Sequence, residues 1–240
     1  MQAQPIIQSL HKYASTFHPV VPFAPGKDGL LQMNFTDSNK EVTGEVYTDI
    51  NKFTNYINDQ LEKKSCRYGI GGYNEQRVIY AASTLFDAGE EPRRLHLGTD
   101  IWGAAGTPVF AFLGGRVHSF AFNKNKGDYG ATLILMHQLD GFTFHTLYGH
   151  ISLKDIENLN GSQYVVRGQQ IAHFGVPEEN GHWPPHLHFQ VIIDMQLKQG
   201  DYPGVCKYTE REKYLENCPD PDLILQLNRF VKKTSPGTDK

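Results

Sequence analysis

Between residues 107 and 193 the chain repeats one pattern, a short run rich in β-branched and aromatic residues followed by a turn-forming pair. Pairs such as Gly114-Gly115 and Asp140-Gly141 are favourable in two-residue hairpins, which need positive φ angles. We interpret as strands the runs 109–113, 117–122, 132–137, 142–148, 164–166, 170–174 and 187–193. Short strands with turns about every eight to twelve residues predict a mainly β fold, an antiparallel sandwich or barrel, and not β-α-β units.

The first third of the chain has a helical pattern instead. Apolar residues recur at helical spacing over 6–17 and over 48–65, where Thr48 or Asp49 can cap the first turn. A short strand is expected within 29–35, and residues 77–83 have the β-branched and aromatic content of another.

These patterns divide the chain into three parts. We expect an N-terminal helical extension over residues 1–75 that packs on the core, because an isolated amphipathic helix is marginally stable in water. The β core is expected over 76–197. A polar tail over 198–240 follows and ends in a short helix, for which Asp220 and Pro221 provide the cap and the first-turn proline.

Composition limits the choice of partners. The net charge of −3 and the pI near 6.4 give no electrostatic reason to expect nucleic acid or an anionic membrane surface. The apolar runs are too short to span a bilayer and the N-terminus lacks a secretory signal pattern, so we expect no membrane insertion and a cytoplasmic location. Three widely spaced cysteines, Cys66, Cys206 and Cys218, indicate reduced thiols. The sequence does not indicate an oligomeric state.

Histidines and an aspartate concentrate in three short segments. In HLGTD, His96 and Asp100 are separated by a Gly-Thr pair that favours a bent strand or turn over a helix. In HLHF, His186 and His188 alternate along a predicted strand, so both imidazoles emerge on one face about 6–7 Å apart. The third segment, YGH, ends another predicted strand at His150. Each segment alone is also compatible with polar residues on the solvent face of a strand.

Taken together, the three segments favour a metal site. Two imidazoles and one carboxylate form a three-ligand set that leaves the fourth position of tetrahedral zinc open for water, whose pKa the metal lowers towards about 7. Two further histidines would then move a proton and stabilise a developing oxyanion. The sequence contains no His-Glu-x-x-His motif, so the glutamate base of that helix is not available.

The order of these motifs resembles the lysostaphin-type endopeptidases, which include LytM-like cell-wall hydrolases. The motifs are His-x-Gly-x-Asp, Tyr-Gly-His-Ile-Ser and Pro-His-Leu-His-Phe, and the resemblance covers about residues 95–193. It implies a compact antiparallel core and a zinc-dependent peptidase whose metal ligands are His96, Asp100 and His188. It also implies that His186 is the general base and that His150 is the second catalytic histidine.

The loop before the last motif departs from the family. Where the family usually has Gly, Ser and Thr, this chain has ENGHWP over 179–184, so His182 and Trp183 put the family's substrate specificity in doubt. The flanks of the core are more similar to a subgroup whose peptidase-like module also occurs fused to kinase-like and aminotransferase domains.

The resemblance implies hydrolysis of peptide or peptidoglycan-like amide bonds, with a peptide or muropeptide-like substrate. Two alternatives stay open, a non-catalytic binding or regulatory module of the same fold and a cytoplasmic amidohydrolase acting on a non-cell-wall substrate. Among the remaining polar residues we expect structural roles for Tyr73, Glu75, Arg77, His118, His137, His145 and His173.

Overall fold

The computed structural model describes residues 3–87 and 89–231. Its α-helices are α1 (Ala3–Tyr13), α2 (Gly44–Tyr47), α3 (Ile50–Lys63), α4 (Leu153–Ile156), α5 (Arg211–Asn217) and α6 (Asp222–Leu225). Its strands are β1 (Leu30–Gln32), β2 (Tyr68–Gly71), β3 (Leu95–His96), β4 (Thr99–Trp102), β5 (Pro108–Phe110), β6 (Gly115–Asn123), β7 (Gly130–Leu139), β8 (Phe142–Ile151), β9 (Tyr164–Val165), β10 (Gln170–His173), β11 (His186–Ile192) and β12 (Val205–Cys206). Short 3₁₀ turns lie at Ala14–Thr16, Ile79–Ala82, Thr84–Phe86, Tyr208–Glu210 and Asn228–Phe230.

One large sheet organises the described residues, with the strand order β1-β2-β4-β11-β8-β7-β6-β9. Its neighbouring strands run antiparallel, except that β1 and β2 are parallel. The pairs β5–β10 and β3–β12 form two small antiparallel sheets. The expectation of a mainly β, largely antiparallel core is therefore confirmed.

The β7–β8 hairpin shows why this sheet is covered on both faces. Its turn residues Asp140 and Gly141 have φ angles of 49° and 84°, as a two-residue hairpin turn requires. Successive strand residues point to opposite faces, yet Leu133 and Ile134 are both buried. Leu133 packs in the main core with α1 and α6, whereas Ile134 packs with tail residues such as Tyr202.

The amphipathic helix α3 packs against aromatic residues of the core segment. The carboxylate of Asp49 accepts hydrogen bonds from the backbone N–H groups of Asn51 and Lys52, which caps the first turn. On the inward face, the ring of Phe53 lies 5.9 Å from that of Trp102 and 6.5 Å from that of Trp183, measured between centroids. The helix thus reaches the strand that carries Asp100.

One expectation about local structure was wrong. Residues 77–83 form no strand; the chain winds through the 3₁₀ turn Ile79–Ala82, because Arg77 and Tyr80 both turn inwards and are buried. The segments 164–166 and 170–174 do not pair with each other. β9 pairs with β6 and β10 pairs with β5, because each completes the edge of a different sheet.

The described residues do not include either end of the chain. Residues 1–2 of the expected extension and 232–240 of the expected tail lie outside the described residues. Within the described ranges, each helix is too short or too polar to cross a bilayer.

Candidate metal centre

Neighbouring strands bring His188 and Asp100 together. In the register of β11 and β4 the two residues lie directly opposite, and His186 lies opposite Trp102. Gly98 lies in the short interruption between strands β3 and β4. A Cβ atom at this position would lie 2.5 Å from Cε1 of His188. Only glycine leaves room for that ring, which explains the glycine between His96 and Asp100.

Three side-chain atoms converge at one point. Nε2 of His96 lies 2.9 Å from Nδ1 of His188 and 3.3 Å from Oδ1 of Asp100, and Nδ1 of His188 lies 3.1 Å from the same oxygen. Tetrahedral zinc with bonds near 2.0–2.1 Å requires ligand atoms about 3.3 Å apart. The three residues are 1–2% exposed, and their spacing fits such an ion.

In His96 and His188, the ring nitrogen that points away from the cluster forms a hydrogen bond. That bond determines which nitrogen of each ring carries the proton and which carries the lone pair. Nδ1 of His96 donates to the backbone oxygen of Gly72 at 3.1 Å, and Nε2 of His188 donates to Oε1 of Gln190 at 2.9 Å. The remaining nitrogens, Nε2 and Nδ1, are therefore acceptors directed at each other. Burial, reinforced by the charge of Arg77, lowers the pKa of His96 to about 3, so this ring is neutral at pH 7.

Asp100 is held on its other side by a buried arginine. Nη1 of Arg77 donates to Oδ2 of Asp100 at 2.5 Å, while Nε of Arg77 donates to Oε1 of Glu75 at 2.8 Å. Burial opposes ionisation of Asp100, but the adjacent His96 and then the Arg77 guanidinium, together with the contact to His188, keep the pKa of the carboxyl well below its usual range. Two imidazoles and one carboxylate are a suitable donor set for a divalent cation.

Two more imidazoles lie beside this set. The ring of His186 is 4.1 Å from the ring of His150, and their Nδ1 atoms donate to the backbone oxygens of Pro184 and Asn180, both at 2.7 Å. Each ring thus keeps its lone pair on Nε2. Burial lowers the pKa of His186 to about 4 and, with the neighbouring histidines, lowers the pKa of His150 well below its usual range.

A pocket of about 140 Å³ opens onto these groups. Asp100, His150, His186 and His188 contribute to its lining. Its remaining walls come from several parts of the chain, including Tyr80, Phe86, Tyr129, Trp183, Asp201 and Val205. A second pocket lies alongside, shares Gly127 and Trp183 with the first, and is lined by Ile50 and Phe53 of α3.

Asp100, His150, His186 and His188 therefore line one pocket, and His96 contacts two of them, Asp100 and His188, while the other histidines lie elsewhere. The rings of His118 and His145 contact each other, His137 is bonded to Gly114 and Thr146, and His173 is bonded to Asp155. His182 lines the second pocket.

Residues that sequence reasoning missed surround the ligands. Gln190 follows His188 by two positions on β11, so alternation along a strand was a usable indication of its place. The same holds for Trp102, two positions after Asp100. Arg77 was expected to be merely structural, and its contact with Asp100 had no local sequence indication.

Residues 94–200 match the family model of peptidase family M23. This segment is therefore similar to the peptidases of family M23. The resemblance to lysostaphin-type peptidases is thus confirmed for this segment, which contains all five of the residues above. No curated protein matches the chain.

Several solved peptidase structures are similar to the chain. A zinc-containing peptidase from Vibrio cholerae is 31% identical, with a TM-score of 0.34, over 41% of this chain and 27% of that one. The catalytic domain of lysostaphin from Staphylococcus simulans is 21% identical, with a TM-score of 0.39, over 67% and 97%. Csd3 of Helicobacter pylori is 25% identical, with a TM-score of 0.33, over 52% and 32%. The chain thus spans about a quarter of the Vibrio peptidase and a third of Csd3.

Proposed function

We propose that this protein is a zinc-dependent metallopeptidase that hydrolyses peptide or peptidoglycan-like amide bonds. His96, Asp100 and His188 would hold the metal through Nε2, Oδ1 and Nδ1. The observation that carries the proposal is the approach of these three acceptor atoms to within 2.9–3.3 Å of one another. Acceptor atoms repel at such distances unless a cation lies among them, and zinc prefers this donor set.

The chemistry that zinc supplies when bound is polarisation of the scissile carbonyl and a lowered pKa for a water molecule. The chain's own contribution is proton transfer. Neutral His186 offers the Nε2 lone pair in the same pocket, so it can accept the proton of the attacking water. We assign His186 the role of general base for that reason.

His150 lies beside His186 in the same pocket and would assist the same proton transfer. Its Nδ1–H is committed to the Asn180 oxygen, so Nε2 cannot donate a hydrogen bond to an oxyanion unless the ring is protonated. Because burial disfavours the protonated ring, His150 would be protonated only transiently. It would accept at Nε2 the proton that His186 has taken from the attacking water and deliver it to the leaving amine, a role that suits it better than standing oxyanion support.

A direct test measures metal and turnover together. The purified full chain should contain one zinc per chain and cleave members of a panel of glycyl peptides and muropeptides. His186→Ala and His150→Ala should keep the zinc while turnover falls about 100-fold, the usual scale for a lost proton-transfer group. His118→Ala, a change away from the pocket, is the matched control and should be active.

Each other outcome decides against part of the proposal. Zinc binding without cleavage of any peptide in the panel would favour the non-catalytic binding module. Full turnover in both histidine variants would refute the assigned proton-transfer roles. Absence of zinc from the wild-type protein would refute the metal centre itself.

A further inference from the structure

The segment 72–77 lies outside the M23-matched residues 94–200, yet it contacts two of the three proposed ligands. The backbone oxygen of Gly72 accepts from Nδ1 of His96, and Nη1 of Arg77 donates to Oδ2 of Asp100. Backbone hydrogen bonds hold the segment in this position. Asn74 N–H donates to the His96 oxygen, and His96 N–H donates to the Glu75 oxygen, both at 2.9 Å.

The guanidinium of Arg77 is held through Nε and Nη1, whereas its buried Nη2 has no hydrogen-bond partner among the described residues. Its side chain is 0% exposed and lies between two carboxylates, those of Glu75 and Asp100. The rings of Phe35 and Tyr80 lie within 5.4 Å and 5.9 Å of its central carbon. An arginine fork held in this way fixes the direction of each carboxylate that it contacts.

The contact with Arg77 determines which oxygen of Asp100 is available to a metal ion. Because Oδ2 is engaged by Arg77, only Oδ1 faces the two imidazole acceptors. We propose that Arg77 is a positioning residue of the metal centre, which restricts Asp100 to one ligating oxygen, and that segment 72–77 is an integral part of that centre. The inference rests on the proposed zinc site and deepens it, because it assigns part of the metal affinity to residues outside the matched domain.

A purely structural role for Arg77 makes different predictions. If Arg77 only anchored segment 72–77, its removal would lower the free energy of unfolding and leave the zinc affinity of the folded protein unchanged. If it positions Asp100, affinity must fall even where folding is intact. Residues that hydrogen-bond to the ligands of a metal ion, without binding the ion themselves, typically contribute 10- to 100-fold to the metal affinity.

The experiment measures zinc dissociation constants of the full chain by competition with a chelator. Arg77→Met should weaken zinc binding about 10- to 100-fold, and Arg77→Lys should fall between it and wild type, since a lysine retains the charge without the fork. Arg67→Met is the matched control, because Arg67 pairs with Asp28 away from the site and its loss should leave affinity unchanged. Thermal unfolding of each metal-free variant reports whether it is folded.

Cobalt substitution supplies a second measurement that a structural role would not change. When Oδ2 is released, Asp100 can bind through both oxygens and raise the coordination number from four to five. The visible absorption of the Co²⁺-loaded Arg77→Met protein should therefore weaken relative to wild type, because tetrahedral Co²⁺ absorbs more strongly than five-coordinate Co²⁺.

The outcomes separate this inference from the proposed function. A wild-type protein that binds no zinc overturns the proposed function. A wild-type protein that binds zinc, beside an Arg77→Met variant of equal affinity and spectrum, overturns only the role of Arg77. If Arg77→Met does not fold, Arg77→Lys and Glu75→Gln decide, since Glu75→Gln removes the charged partner of Nε and should weaken zinc binding several-fold. Unchanged affinity in both would overturn the inference.

Discussion

The imidazole of His186 lies flat on the indole of Trp102, with ring centroids 3.9 Å apart and an interplanar angle of 17°. The contact follows from the register of β11 and β4, where the two residues are directly opposite. His150 lies close to His186 as well, with 4.1 Å between ring centroids. Position and tilt of the proposed base are therefore set by packing as well as by its hydrogen bond to Pro184.

Replacement of this indole tests the stack. Trp102→Leu should leave the zinc content unchanged and reduce turnover about 10- to 100-fold, because a displacement of about 1 Å in a catalytic group can cost two orders of magnitude. Trp102→Phe, which keeps a flat ring, should lose less. Steady-state kinetics with metal analysis on folded protein would check this, and equal turnover in all three proteins would contradict it.

The ligand set makes a separate prediction about metal content. His96→Ala, Asp100→Ala and His188→Ala each remove one of three protein ligands and should weaken zinc binding by more than about 100-fold, beyond the range for outer contacts. His173→Ala is the control, since His173 pairs with Asp155 outside the pocket. Metal analysis after dialysis against a weak chelator measures the effect. Full occupancy in the three variants would refute the assignment.

Buried His137 predicts how stability depends on pH. Burial lowers its pKa to about 4, whereas the unfolded chain protonates histidine near 6.5, so between these values the unfolded state binds more protons. The stability contributed by this group is therefore fully present above about pH 6.5 and is lost as the pH drops towards 4. The contribution of this one group amounts to about 3 kcal/mol over that interval.

His137→Gln isolates that contribution. The variant is expected to be less stable than wild type at pH 7, because its hydrogen bonds to Gly114 and Thr146 are altered, but to lose less stability on acidification. Urea unfolding at several pH values between 4.5 and 7 gives both numbers. Parallel losses in the two proteins would show that His137 does not titrate as its burial implies.

The parts of the fold that sequence predicted are those governed by local chemistry. The Asp140-Gly141 turn and the Asp49 cap were both identifiable because the residues themselves favour those backbone conformations. In both cases a few neighbouring residues decide the outcome. The proposed ligands His96, Asp100 and His188 were instead predicted through the resemblance to lysostaphin-type peptidases, and their ligating atoms lie close together in the folded chain.

The parts that sequence did not predict depend on partners far along the chain. The partner strands of β9 and β10 are chosen by sheet edges that form only in the folded protein. Arg77 reaches Asp100 across 23 positions, and nothing in its neighbourhood indicates that carboxylate. Gln190 was an avoidable omission, because its place two residues after His188 on one strand puts it on the same face.

The extension over residues 1–75 is proposed to be part of one folding unit with the core over 76–197. Support comes from Phe53, which is buried against Trp102 and Trp183. Phe53→Ala should lower the free energy of unfolding by about 3–5 kcal/mol, the usual cost of truncating a core phenylalanine. Asn55→Ala, an exposed change on the same helix, should have little effect. Two separate unfolding transitions of the full chain would contradict the single unit.

The same extension bears on substrate size. Residues of α2 and α3 line the second pocket, and Trp183 forms part of the wall between that pocket and the one at the metal centre. Trp183 is itself 6% exposed and packs edge-on against Tyr80 and Phe53, so the wall is firmly held. A buried indole between the two pockets limits how far a substrate can extend in the direction of the second pocket. We therefore propose that the protein prefers short peptides to polymeric cell wall.

Trp183→Ala should join the two pockets and lengthen the space beside the metal centre. The ratio of kcat/KM for a long glycyl peptide to that for a short one is expected to rise about tenfold, a change of the size that altered pocket contacts produce. Zinc content should not change, because the ring contacts of Trp183 are to Phe53 and Tyr80 and not to a proposed ligand. Tyr208→Ala, at an exposed aromatic residue outside both pockets, is the control. Efficient cleavage of intact peptidoglycan by the wild-type protein would refute the preference, and an unchanged ratio in Trp183→Ala would show that this wall does not set it.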